Sequence, residues 1–135
     1  MLSSLCYLST AARRMSDAEL EDILRDARLK NDAAGITGTL LYCDGNFMQY
    51  VEGPTEAIEG LWRRLGHDPR HHGIIELFRQ PLSERIFGGW SMAFKSADAR
   101  RFDALVQMAR VPLQPGDERQ PPVVAMLRDF WLDNR

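Results

Sequence analysis

Gln49 stands where the strand pattern asks for an apolar side chain. It lies in the stretch from Gly35 to Gly53, GITGTLLYCDGNFMQYVEG, which Asp44-Gly45 divides into a tight hairpin. Glycine supplies the positive φ that two-residue loops need, and an aspartate before it tolerates the same region. Side chains alternate along a strand, so Phe47, Gln49 and Val51 share one face and Met48, Tyr50 and Glu52 the other. The first face reads as core. A carboxamide buried there without partners costs about 1–3 kcal/mol, so its surroundings must offer a donor and an acceptor together. Protein backbone or a flat heterocyclic ligand meets that demand. Tyr7 is the second residue of interest. On a strand over Leu2 to Ser9 it shares a face with Leu5 and Ser9, and its phenol can meet Gln49 if both side chains project from the same face of the sheet.

Other chemistries lack their residues. Gly88-Gly89 is isolated and precedes a strand, so neither the phosphate-loop nor the dinucleotide fingerprint fits. His67, His71 and His72 surround Pro69-Arg70 without the further ligands that metal spacing requires, and read as a solvated helix exit. No Ser, Cys or His stands beside a sequence-identifiable partner for nucleophilic catalysis. No catalytic residue is expected.

The chain has 135 residues, 44% hydrophobic and 27% charged, with net charge near −2. This suits one core and excludes a dominant electrostatic surface for nucleic acid. The opening MLSSLCYLSTAARR lacks a basic leader segment, and no window approaches the roughly 18 apolar residues of a membrane span. A cytoplasmic protein with no nucleic-acid or membrane partner is expected. Cys6 and Cys43 read as small buried or half-buried thiols.

The elements that must position Tyr7 and Gln49 follow from periodicity. After the first strand, Ser16-Asp-Ala-Glu19 forms a capping box that opens a helix with Leu20, Ile23, Leu24 and Ala27 as its stripe. Asn31 falls in its last turn before Gly35. The hairpin follows, and Pro54 opens a second helix with Ala57, Ile58, Leu61, Trp62 and Leu65 inward, ending near Asp68-Pro69. Gly73 to Arg79 is β-rich and Gln80-Pro81 is expected to end it, with a last strand over Trp90 to Phe94. The order predicts an α+β, ferredoxin-like fold: βαββαβ plus one strand, a mixed five-stranded sheet with both helices on one face and a groove between them. Residues 96–135 form a C-terminal extension. Helical stripes at Phe102 to Ala109 and Val124 to Trp131, joined by a proline-rich linker, must cover the sheet's open face or another chain.

A set of motifs along residues 1–95 closely resembles the BLUF domain, the flavin-binding module of blue-light photoreceptors. It comprises Leu5-Cys-Tyr7-x-Ser9, Asn31, Gly35-Ile-Thr-Gly38, Phe47-Met-Gln49-Tyr-Val-Glu-Gly53, Asp68-Pro-Arg-His-His72 and Phe87-Gly-Gly-Trp-Ser-Met92. The resemblance implies FAD as cofactor, its ring between the two helices. It implies that Tyr7 donates an electron to the photoexcited flavin while Gln49 relays the proton. Recombination then leaves a rearranged hydrogen-bond network with no net bond made. A carboxamide suits this because rotation or tautomerisation exchanges its donor and acceptor without moving the backbone.

Further roles carry over by position. Asn31 resembles the residue that pairs with the pyrimidine edge, Arg64 and Asp68 match polar positions near the ribityl chain, and Ile23 and Leu65 would clamp the ring. Phe47 and Val51 flank Gln49 and complete the expected binding set. Trp90 and Met92 stand at the family's output position. Many members have Asn-Asn before the Ile-Thr-Gly hairpin, whereas Lys30-Asn31-Asp32 here keeps only Asn31, which leaves the second amide's contacts without a counterpart.

With about 40 residues beyond the resemblance, a stand-alone receptor is expected, signalling to a separate effector protein and forming a homo-oligomer. The rival readings are a flavin-dependent redox enzyme and a cofactor-free ferredoxin-like interaction module. The sequence shows neither a nicotinamide site nor a redox cysteine pair for the enzyme.

Overall fold

The hairpin turn forms as its residues dictate, with Asp44 at φ 46 and Gly45 at φ 85. Around it, the computed structural model describes residues 1–11, 15–67, 71–86, 93–96 and 99–109. The elements are β1 (Leu2–Ala11), α1 (Asp17–Ala34), β2 (Thr37–Cys43), β3 (Asn46–Pro54), α2 (Thr55–Leu65), β4 (His71–Leu82), β5 (Ala93–Ser96) and α3 (Ala99–Ala109). They build a five-stranded sheet in the order β4-β1-β3-β2-β5. β1, β2, β3 and β4 pair antiparallel, and β5 joins β2 in parallel, which makes the sheet mixed as expected.

Local signals set the helix ends. Ser16 accepts from the Glu19 amide at 3.2 Å while the Glu19 carboxylate accepts from the Ser16 amide, the reciprocal box that satisfies two end donors of α1. Gly35 ends α1 in the left-handed conformation at φ 73, a position that costs a residue with a Cβ. Its N–H, with that of Ile36, closes on the Asn31 carbonyl. α2 starts after Pro54, where a missing N–H costs nothing, and ends at Leu65, earlier than the expected Asp68-Pro69.

β4 departs from expectation. It continues through Gln80-Pro81 to Leu82 because it is the sheet's edge, where a proline forfeits no ladder hydrogen bond. Its pairing with β1 slips between Cys6 and Tyr7 and again between Leu8 and Thr10. Each slip inserts one extra β4 residue, and Gly73 at φ 59 lies within the second. Bulges of this kind twist the strand and re-aim side chains beside a functional site.

Two buried layers sandwich the sheet. On one face Leu5, Tyr7, Leu40, Phe47 and Val51 pack against Leu20, Ile23 and Leu24 of α1 and Ile58, Leu61 and Leu65 of α2. On the other, Cys6, Leu41, Met48, Tyr50 and Phe78 pack against Phe102, Leu105, Val106 and Ala109 of α3. Each large apolar side chain so buried contributes about 1.5–3 kcal/mol. The hairpin face opposite Gln49 is therefore core too, and it holds a carboxylate, Glu52, at 0% exposure. Burial, then the charge and hydrogen bond of Glu52, push the Tyr50 phenol above its ordinary 10.0, and burial pushes the Cys6 thiol above 9.0. Trp90, Met92, Asp68 and the second tail helix lie outside the described residues.

Two predictions follow from this layering. A Cβ at Gly38 would press into the Tyr50 carbonyl and come within 2.9 Å of Val51 Cα, both backbone. Gly38→Ala should thus cost about 1–3 kcal/mol or more in urea denaturation. Because Tyr50 and Cys6 stay neutral when folded while the unfolded chain ionises from about pH 9 upward, stability should fall as pH rises past that point. Tyr50→Phe should flatten the part of that loss above about pH 10, measured as urea midpoints across the range.

Candidate functional site

Between α1 and α2, over the sheet, lies a cavity of about 550 Å³, within the size range of small-molecule and cofactor pockets. Its floor is the sheet. Tyr7 of β1 is the direct cross-strand partner of Gln49 on β3, and Leu40 of β2 pairs with Gln49 from the other side. All three line the cavity together with Phe47. The phenol and the carboxamide thus stand side by side on the interior strands, at 2% and 5% exposure. The Tyr7 ring is braced edge-on by Trp62 of α2, centroids 6.1 Å apart at 69°.

The walls are helix faces. Ile23, Ala27, Lys30 and Asn31 recur along one side of α1, and Leu61, Arg64 and Leu65 along one side of α2, the spacings that put residues on a common stripe. Asp26 and His67 complete the lining. Asp26, Lys30, Arg64 and His67 are exposed, so charge rings the mouth while the interior is apolar.

One atom in this cavity is out of balance. Asn31 is 1% exposed, and its amide nitrogen Nδ2 has no hydrogen-bond partner among the described residues. Its backbone is fixed by the Gly35 cap, so the side chain is held in the cavity wall by the helix terminus itself. A buried N–H donor left unmade costs about 1–3 kcal/mol, which a ligand with an acceptor edge recovers.

Of the expected binding residues, the structure brings Tyr7, Ile23, Asn31, Phe47, Gln49, Arg64 and Leu65 to this cavity. Val51 is buried in the same apolar layer but does not line the cavity. Asp68 of the expected set lies outside the described residues, as do Trp90 and Met92. Asp26, Ala27, Lys30, Leu40, Leu61 and His67 were not singled out from sequence. Ala27 and Leu61 lie on the recognised stripes, and Lys30 stands seven residues after Ile23 on the same helix face, so spacing held that signal. Nothing local marks Leu40, and His67, which reads as part of a solvated helix exit, is exposed and lines the cavity mouth. No group of His, Cys, Asp and Glu among the described residues is placed to hold a metal ion.

The family model described as BLUF, sensors of blue-light using FAD, matches residues 2–93. The chain belongs to the BLUF family. The beta subunit of photoactivated adenylate cyclase from Euglena gracilis is 42% identical over 86 residues, which is 64% of this chain and 10% of that protein. The chain thus spans about a tenth of the length of that curated relative, and the cyclase activity in its name belongs to that protein. Among solved structures, BlrB, a BLUF protein in its dark state, is 34% identical with a TM-score of 0.72, covering 99% of this chain and 97% of that one. BlsA in its photo-activated state is 31% identical at a TM-score of 0.74, covering 96% and 94%. BlrP1 of Klebsiella pneumoniae, solved with FMN and cyclic diGMP, is 32% identical at 0.68 and covers 98% of this chain and 35% of that one. The BLUF domain here is a flavin-binding photosensor on the ferredoxin-like α+β fold. No helix among the described residues is long and apolar enough to cross a membrane.

Asn31→Ala should remove the unmatched donor. Flavin affinity, titrated by fluorescence quenching onto the flavin-free chain, should fall about tenfold or more, the worth of one hydrogen bond to a buried partner.

Proposed function

We propose that this chain is a blue-light receptor that holds FAD in the cavity between α1 and α2 and switches through Tyr7 and Gln49. The unpartnered Asn31 Nδ2 carries this reading, because it is a buried donor facing a cavity whose inner wall is mostly apolar. A flavin pyrimidine edge supplies such acceptors. Ile23 and Leu65 are placed on opposite helices to hold a flat ring. Lys30 and Arg64 outnumber Asp26 at the mouth, which favours a phosphorylated tail and supports FAD or FMN over riboflavin; FAD is the form in the family's description.

When bound, flavin supplies absorption of blue light and an acceptor for one electron. The chain's part is to place a proton-bearing donor and a proton relay. Tyr7 holds an oxidisable phenol whose hydroxyl proton must leave as the electron does. Gln49, its cross-strand neighbour, can take a proton at the amide oxygen and release one at the nitrogen. Burial of both groups excludes the water that would otherwise compete for these bonds. The outcome is an altered bonding pattern around one carboxamide rather than a released product. Its output passes by contact to a separate effector protein, and self-association of the receptor accompanies it. Asp68, Trp90 and Met92 belong to this proposal as flavin and output residues through the family's motif.

The purified protein should be yellow and show a reversible red shift under blue light. Tyr7→Phe should keep the flavin and abolish the shift, read by absorption spectroscopy. Bleaching by NADH would instead support a redox enzyme, and a colourless protein an interaction module. Capture of partners in light and in darkness, with size determination in both, tests the output; identical partners and size would count against it.

A further inference from the structure

Glu52 is a fully buried carboxylate in the sheet that the cavity between α1 and α2 does not use. It sits three positions after Gln49 on β3 and faces the other way, at 0% exposure. Taking a carboxylate out of water costs several kcal/mol, and a packed apolar side chain would serve stability as well or better. What the carboxylate does instead is fasten. Tyr50 donates its hydroxyl to Oε2 at 2.8 Å, and the Ile86 amide donates to both oxygens at 3.0 Å each. Ile86 lies in the connection between β4 and β5, far from Glu52 in sequence.

Its neighbour Arg85 makes the complementary grip. One guanidinium nitrogen donates to the Gly35 carbonyl at 2.6 Å; another donates to Thr37 Oγ1 at 3.0 Å and to the Glu52 carbonyl at 3.5 Å. Gly35 is the cap whose N–H closes on Asn31. Arg85-Ile86 is therefore bonded to both elements that carry the site: the end of α1, holding Asn31, and β3, holding Gln49. Any change in spacing between them falls on these bonds.

We propose that Glu52 relays the photoresponse beyond the cavity, its carboxylate coupling the Arg85-Ile86 segment on one sheet face to the β3 backbone that carries Gln49 on the other. This rests on the receptor reading above. The test is hydrogen exchange at the Ile86 amide by NMR in the flavin-loaded chain, dark and illuminated, beside the absorption shift. Wild type should exchange slowly in the dark and change rate on illumination. Glu52→Gln keeps the shape and leaves the cavity untouched, so the red shift should persist. Exchange at Ile86 should rise about tenfold or more in the dark, the loss expected for a charge-assisted bond, and the light-dark difference should collapse. Arg85→Met, at a partly exposed position, should likewise shrink the difference and serves should Glu52→Gln fold poorly. A wild-type red shift with no change at Ile86, or variants that keep the full light-dark difference, overturns the coupling. Absence of any red shift in wild type overturns the receptor reading and this inference with it.

Discussion

A polar side chain on the middle strand of a sheet covered on both faces meets only neighbouring strands and the contents of one cavity, and the molecule is arranged around that constraint. β3 is buried along nearly its whole length, under α1 and α2 on one side and α3 on the other. Gln49 must therefore find its partners among neighbouring strands and whatever fills the cavity. Tyr7 is placed opposite it by strand register, which is why the pairing is fixed rather than approximate: a one-residue slip would send one of the two to the far face. The same reasoning applies to Glu52, whose carboxylate is held by a phenol and a backbone amide. Each face of this one strand thus carries a polar group that only a complete surrounding can satisfy.

The helices make the cavity possible because their stripes stop short of meeting. Ile23 and Leu65 approach from the two sides with Leu61 and Phe47 nearby, and the remaining space is left to a ligand. Asn31 owes its orientation to Gly35, since only a left-handed residue can turn the chain there and return two N–H groups to the helix end. Backbone chemistry at one glycine therefore sets where a side-chain donor points.

What was legible in the sequence was local. The Asp44-Gly45 turn, the Ser16-Glu19 box and both helical stripes depend on residues a few positions apart, and all formed where their signals stood. The polar anomaly at Gln49 was legible as well, because one misplaced carboxamide breaks a strand pattern. Features set by distant chain were not. Gln80-Pro81 reads as a terminator because nothing local marks β4 as an edge strand, whereas the stripe at Phe102 to Ala109 does signal a helix seeking an apolar face to cover. Glu52 carried no mark of burial, since its partner amide belongs to Ile86. The slips opposite Tyr7 also leave no trace in residue type alone.

The location of the two interior strands bears on how such a unit can be reused. Tyr7 and Gln49 sit on β1 and β3, while the sheet's borders are β4 and β5. Chain joined at either border reaches Tyr7 and Gln49 through an intervening strand or through the Arg85-Ile86 clasp, whereas α3 lies directly on the β3 face opposite Gln49. A unit joined at a border is thus held a strand's width from Tyr7 and Gln49, while one laid on the α3 side is a single sheet thickness away.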